Sequence, residues 1–135
     1  MRSPTLMGIV LTWLALPGCA RDVDANLPPE YARVTIPAGV FASEEAMARG
    51  RAAFQEYCAI CHGESGNGLG QRREGLTSPP RDFTDPTWRQ STSPRAVFYA
   101  IREGLAPTAM PSWKALSEQQ AWELTAYVWS LGARP

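Results

Sequence analysis

Apolar residues recur at helical spacing in three stretches of the chain, and each stretch begins with a serine that can cap a helix. The three serines are Ser43, Ser93 and Ser117. Pro94 stands at the first helical position after Ser93, and Gln120 completes a capping box with Ser117. The apolar stripes, in chain order, are Met47, Gly50, Phe54 and Tyr57; Val97, Phe98, Ile101 and Leu105; and Ala121, Leu124, Thr125, Val128 and Leu131. We therefore predict three helices.

The segments between the predicted helices are rich in glycine and proline, and they lack the alternation of apolar and polar residues that favours a strand. The longest of them extends from Gly63 to Trp88. Gly104 and Gly132 are suited to end the second and third helices. The pattern predicts an all-α domain of residues 43–135, with three main helices joined by Gly/Pro-rich loops.

The first 18 residues are typical of an export signal, because Arg2 precedes an apolar run from Leu6 to Leu16. The run is shorter than the roughly 20 residues that a membrane-spanning helix needs. Leu16-Pro-Gly-Cys19 resembles the lipobox of bacterial lipoproteins, in which the cysteine is lipidated and becomes the mature N-terminus. We expect a signal peptide at residues 1–18, lipidation of Cys19, and an exported, membrane-anchored lipoprotein on the periplasmic side. A soluble periplasmic protein is the alternative.

Residues 19–42 contain Pro28, Pro29 and Pro37 and few periodic apolar positions. This composition predicts a flexible tether between the lipid anchor and the domain. Fully extended, such a tether reaches on the order of 60–70 Å, at about 3 Å per residue. We therefore expect the domain to stay near a membrane and to swing between its partners.

The charge of the chain gives no reason to expect a nucleic-acid partner. Thirteen Lys and Arg residues balance thirteen Asp and Glu residues. The cysteines are more informative, because exported thiols usually form disulfides or are modified. If Cys19 carries lipid, Cys58 and Cys61 are the two that remain.

The sequence Cys58-Ala-Ile-Cys-His62 is compatible with zinc binding, dithiol chemistry or covalent haem attachment. Structural zinc needs four protein ligands, and this motif offers three; because His62 is the only histidine of the chain, the fourth would have to be a carboxylate. A redox dithiol is expected within a βαβ unit, whereas an apparent helix precedes Cys58. Cys-x-x-Cys-His is the attachment signature of c-type haem, because sulfurs at i and i+3 of a helical turn reach one porphyrin edge. The pattern favours haem.

Residues 43–132 resemble the class I monohaem cytochromes c. Besides Cys-x-x-Cys-His, Gly50 and Phe54 match the Gly-x-x-x-aromatic pattern of this family, and Leu124 and Tyr127 match its Leu-x-x-Tyr pattern. The resemblance implies the small cytochrome c fold, in which the first and last helices cross and the chain is wrapped around one covalent haem c.

The resemblance also implies that Cys58 and Cys61 bind the haem through thioethers and that His62 is an axial ligand of the iron. The opposite ligand is assigned by elimination among the methionines, which are Met1, Met7, Met47 and Met110. The first two lie in the signal segment, and Met47 lies three turns before Cys58 on the same helix. Met110 remains, in a loop shortly before the last helix, where the family also carries its methionine.

Four further residues are candidates for contacts around the haem. In the family a proline carbonyl accepts a hydrogen bond from the second ring nitrogen of the axial histidine, and Pro79 and Pro80 are the candidates here. The guanidinium of Arg81 matches a haem propionate in geometry. Trp88 is a second candidate donor to a propionate, through its indole N–H.

These features predict an electron carrier rather than an enzyme. Two strong-field axial ligands leave no open position for a substrate, and histidine/methionine coordination favours a raised reduction potential. We expect single-electron transfer between a donor and an acceptor redox protein, at or near a membrane respiratory complex. A haem subunit of a larger respiratory or dehydrogenase complex is one alternative. A haem-based sensor in which Met110 is displaceable is another.

Overall fold

The computed structural model describes residues 23–133, so the predicted signal peptide (1–18) and Cys19 lie outside the described residues. The α-helices are α1 (Pro29–Ala32), α2 (Glu44–Tyr57), α3 (Ala59–His62), α4 (Pro94–Glu103) and α5 (Glu118–Leu131), with 3₁₀ turns at Gln71–Arg73 and Trp88–Gln90. Residues 23–133 contain no strand, which confirms the all-α prediction. None of these helices is both long and apolar enough to cross a membrane.

The three main helices begin at the predicted serine caps. The hydroxyl of Ser43 accepts a hydrogen bond from the backbone N–H three residues later at 3.2 Å, and that of Ser93 does the same at 3.0 Å. Ser117 and Gln120 form both bonds of a capping box, at 3.2 and 2.9 Å. Each cap satisfies a donor that the first turn of a helix leaves without an intrahelical partner, and so fixes where the helix starts.

The core is arranged around α5, which packs against both α2 and α4. All residues from 121 to 128 are buried, a wider surface than the predicted stripe. The crossing with α2 requires a glycine at position 50, because a Cβ there would lie 2.1 Å from the carbonyl oxygen of Glu123. On the α4 side, Phe98 stacks on Trp122 with 4.1 Å between ring centroids. The first and last main helices, α2 and α5, therefore cross with their backbones in close contact.

Residues 23–42 differ from the flexible tether predicted for this part of the chain. The short helix α1 lies against α4, and the Tyr31 hydroxyl donates a hydrogen bond to the Glu103 carboxylate. Arg95 on α4 donates through Nε to the carbonyl of Val34 at 3.0 Å. Val40 is buried in the core. We call residues 23–42 the N-terminal strap, because they are folded against the helical domain.

Candidate functional site

Cys58, Cys61 and His62 lie on one helical turn at the end of α2. The backbone N–H of Cys58 donates to the carbonyl of Phe54 at 2.9 Å, and its carbonyl accepts from Cys61 and His62 at 3.1 and 2.9 Å. Residues at i, i+3 and i+4 share one side of such a turn. Cys58 is buried and Cys61 is partly exposed. Burial raises the pKa of the Cys58 thiol to about 12, with the neighbouring Cys61 as a second cause.

The His62 ring is held by a backbone carbonyl and by an aromatic ring. Its Nδ1 lies 3.2 Å from the carbonyl oxygen of Arg81, so Nδ1–H is the donor and Nε2 keeps a lone pair. Phe83 stacks on the imidazole with 4.7 Å between centroids. Burial lowers the pKa of His62 while the bond to the Arg81 carbonyl opposes this shift, and a neutral imidazole is the form that binds a metal.

The carbonyl that accepts from His62 therefore belongs to Arg81, whereas the sequence predicted Pro79 or Pro80. The prediction placed the acceptor in the correct loop, but one or two residues too early in the chain. The proline carbonyls precede the position at which the chain passes His62, and the Pro80 carbonyl instead faces Gly68, where a Cβ would lie 2.8 Å from its oxygen.

A cavity of about 340 Å³ lies beside the Cys58–His62 turn, and it is lined by Cys58, His62 and Met110. Met47 packs against the core and does not line this cavity. The walls are apolar and come from α2, α4, α5 and the residue that follows Gly104: Phe54, Val97, Ile101, Leu105, Leu124 and Val128. Cys61 does not line the cavity but lies on the same helical turn as Cys58. One thiol at the cavity and a second on the same turn, an imidazole and a thioether for iron, and apolar walls for a porphyrin fit a covalently attached haem.

Met110 is positioned by a loop that is tied to the end of α4. The backbone N–H of Leu105 donates to the Met110 carbonyl at 3.1 Å, and that of Trp113 donates to the Ile101 carbonyl at 2.9 Å. Gly104 ends α4 with a φ of +74°, and a Cβ there would lie 2.7 Å from the Met110 carbonyl oxygen. The loop is therefore held close to α4 on both sides of Met110.

Arg81 and Trp88 also line the cavity. Arg81 is exposed, whereas Trp88 is buried and packs against Phe83 and Trp129, with 5.0 and 5.7 Å between ring centroids. Both residues are thus next to the space that a haem would occupy. Their bonds to propionates stay predictions.

Six residues at the cavity were not singled out from the sequence: Leu27, Phe83, Thr92, Ala96, Tyr99 and Ala100. Phe83 is the apolar residue of the loop that follows Pro79 and Pro80, and an aromatic side chain in an otherwise polar loop was the available signal. Leu27 belongs to the N-terminal strap, and no periodic pattern marks it.

Comparison with known proteins gives independent information on the family and the fold. The family model described as cytochrome c oxidase, cbb3-type, subunit III, matches residues 45–128. A chain of the reducing HAO-like protein complex of Kuenenia stuttgartiensis is 32% identical with a TM-score of 0.63, over 73% of this chain and 49% of that one. Cytochrome cL of Methylophaga aminisulfidivorans shares the fold at 23% identity and a TM-score of 0.50, over 67% and 55%. The chain spans about half the length of these two proteins.

Proposed function

The chain belongs to the family described as cytochrome c oxidase, cbb3-type, subunit III, and from this premise we propose that it carries single electrons through a haem ligated by His62 and Met110. It is a c-type cytochrome domain with covalently bound haem c, and electron transfer is the function of such a domain. The axial ligands, the partners and the location are the parts that we propose.

The observation that carries this proposal is the convergence of Cys58, His62 and Met110 on one cavity with apolar walls. The haem supplies one-electron chemistry at iron. The chain supplies the thiols of Cys58 and Cys61 for attachment, and the Nε2 of His62 and the sulfur of Met110 for coordination. Ligation by histidine and methionine raises the reduction potential and leaves no vacant coordination position.

The residues around the ligands have a positioning role. The Arg81 carbonyl fixes the tautomer and the orientation of His62 by accepting from Nδ1, which directs Nε2 away from that carbonyl. Leu105 and Gly104 hold the backbone of Met110 against the end of α4. No conformational change is needed for an electron to pass, so a rigid ligand set suits this activity.

We propose that the protein works on the periplasmic side, anchored by lipid at Cys19, between a donor and an acceptor redox protein. The support is the lipobox-like Leu16-Pro-Gly-Cys19 after an apolar run. A lipoprotein carries more than one acyl chain, which suffices for stable anchoring.

The second candidate is a haem subunit of a larger complex. Two observations favour it, because the matched family is described as a subunit of an oxidase and one similar chain comes from a protein complex. In that case the domain relays electrons within the assembly rather than between diffusing partners.

A pyridine haemochrome spectrum together with the intact mass of the exported, detergent-extracted protein tests covalent haem and lipidation in one preparation. We expect one haem per chain attached through two thioethers, and a mature N-terminus at Cys19 with a lipid mass. A mature chain without added lipid would contradict the anchor. Rapid binding of carbon monoxide to the reduced protein at neutral pH would contradict Met110 ligation and favour a sensor.

Extraction in mild detergent distinguishes the two candidate functions. A free carrier is expected to elute as a monomer in its micelle. Co-elution with other haem proteins in fixed stoichiometry would establish the subunit role instead. The Cys19→Ser variant is the matched control, because it keeps the haem domain and releases it from the membrane.

A further inference from the structure

The N-terminal strap contributes a wall of the haem cavity. Leu27 lines the cavity together with Thr92, which precedes α4, and with Ala96 and Tyr99 on α4. The family match begins only at residue 45, so this part of the wall comes from outside the matched region. Leu27 is therefore a cavity residue outside the part of the chain that the family model matches.

A first latch holds the strap at the start of α4. The Asp24 carboxylate accepts a hydrogen bond from the hydroxyl of Ser93, the residue that caps α4. Its other oxygen lies 3.5 Å from the guanidinium of Arg95, which also donates to the Val34 carbonyl at 3.0 Å. The side chains of Asp24 and Arg95 are 17% and 32% exposed, so water and salt screen this pair less than a surface pair.

A second latch holds the strap at the other end of α4. The Tyr31 hydroxyl donates to the Glu103 carboxylate, whose second oxygen lies 2.6 Å from Nζ of Lys114. The Tyr31 ring packs edge-on against Tyr99 with 4.9 Å between centroids. Lys114 belongs to the segment that follows Met110, so Glu103 connects the strap, α4 and the methionine loop.

We propose that Leu27 is a haem-contacting residue and that the strap, latched at both ends of α4, excludes water from this side of the haem. Oxidised haem iron carries one more positive charge than reduced iron, and apolar surroundings destabilise the additional charge. The strap therefore raises the reduction potential. The inference rests on the presence of haem c and does not depend on Met110 as a ligand.

The Leu27→Gln variant of the full-length holoprotein tests this contact, with Val23→Gln as its matched control. Val23 lies on the same strap, is exposed, and does not line the cavity. We expect a lower midpoint potential in Leu27→Gln and the wild-type value in Val23→Gln, with covalent haem and the low-spin spectrum kept in both. Equal potentials in the two variants would overturn the proposal.

The absorption spectrum of each variant separates failure of this inference from failure of the proposed ligation. Loss of the bond between Met110 and iron would change the ligand bands whether or not the strap is closed. If Leu27→Gln does not accumulate as holoprotein, Leu27→Ala opens the same wall without a polar group. The same fall in potential, of smaller size, is then expected, and an unchanged potential overturns the proposal.

Hydrogen exchange of the holoprotein tests the latches. Backbone amides of the strap are expected to be protected in the wild type. Asp24→Ala, which removes the acceptor for Ser93, and Tyr31→Phe are each expected to speed their exchange by about 2- to 10-fold, as expected for loss of one hydrogen bond. Glu30→Gln, an exposed change on α1, is the control. Strap amides that exchange as fast as an unfolded peptide in the wild type would overturn the closed strap.

Discussion

At the residue scale, the two ring nitrogens of His62 have separate tasks. Nδ1 donates to a carbonyl of the chain, and Nε2 is left for the proposed bond to iron. A ring with both nitrogens free would rotate, and its basicity would be lower. The backbone carbonyl of Arg81, rather than its side chain, would therefore support the proposed ligation.

Replacement of Met110 by alanine is expected to keep covalent haem but to abolish the low-spin histidine/methionine spectrum, because no other methionine in residues 23–133 lines the cavity. The long-wavelength band of thioether-bound ferric iron is the measurement. Carbon monoxide is then expected to bind the reduced variant at the vacated position. Met47→Ala is the control, and persistence of the band in Met110→Ala would show that the ligand is a different residue.

The sequence predicted which residues lie at the site more accurately than it predicted which backbone carbonyl accepts from His62. Covalent haem attachment requires two cysteines and a histidine at a fixed spacing. The spacing of Cys58, Cys61 and His62 along the chain was therefore enough to predict that they lie together. The partner of His62 depends on how a proline-rich loop passes the ring, and a displacement by one residue changes the carbonyl from Pro80 to Arg81. Loop register has no periodicity that would reveal it.

At the scale of elements, the crossing of α2 and α5 limits position 50 to glycine. A methyl group there would meet the carbonyl oxygen of Glu123 at 2.1 Å and Cβ of Tyr127 at 2.9 Å. Gly50→Ala is therefore expected to force the helices apart and to lower the free energy of unfolding by about 1–3 kcal/mol or more. Urea unfolding of the holoprotein measures this, with Ala52→Ser on the exposed side of α2 as control. Equal stability of the two variants would contradict the close crossing.

The same crossing contains a pH-sensitive contact between Arg49 and Glu123. Arg49 donates through Nε to Oε1 of Glu123 at 2.9 Å, and its Nη2 lies 2.8 Å from the same oxygen in an ion pair. These bonds hold the pKa of the Glu123 carboxyl below its ordinary value of 4.5, while burial opposes the shift and Gln119 adds to it. A lowered pKa in the folded state gives stability that is present above pH 4.5 and is lost as the pH falls through the folded value.

Glu123→Gln is consequently expected to be less stable than the wild type near neutral pH, and the difference is expected to shrink as the pH is lowered below about 4.5. Thermal unfolding followed by far-ultraviolet circular dichroism across this range is the measurement. Glu64→Gln, an exposed change in a loop, serves as the charge-matched control. A difference between wild type and Glu123→Gln that stays constant with pH would contradict the role of this carboxylate.

The elements that the sequence predicted are those with local start signals. Ser43, Ser93 and Ser117 form their caps with residues three positions later, so the information lies within one turn. The N-terminal strap is different, because its bonds join residues about 60 to 70 positions apart, such as Val34 with Arg95 and Tyr31 with Glu103. Its apolar residues follow no helical period, and so its composition indicated a tether.

At the scale of the whole molecule, the strap changes how the domain relates to an anchor at Cys19. A free tether of residues 19–42 would let the domain move over tens of ångströms. With Asp24 held at the cap of α4, only four residues separate Cys19, the proposed lipid attachment, from Asp24. The five Cα-to-Cα steps from Cys19 to Asp24 span at most about 18 Å. If Cys19 carries lipid as proposed, we expect the haem cavity, which the strap helps to line, to stay near the membrane surface.

This geometry predicts that the haem of the anchored protein quenches a fluorophore on lipid head groups, since both lie within a short distance of each other. A Gly/Ser linker of about 12 residues, inserted between Ala20 and Arg21, adds a root-mean-square reach of about 20 Å and is expected to weaken the quenching. The same linker appended after Pro135 is the control, because it leaves the anchor side unchanged. Equal quenching with and without the insertion would mean that the strap does not set the distance between the haem and the head groups. The haem domain would then be held at the membrane by another surface, or would move freely near it.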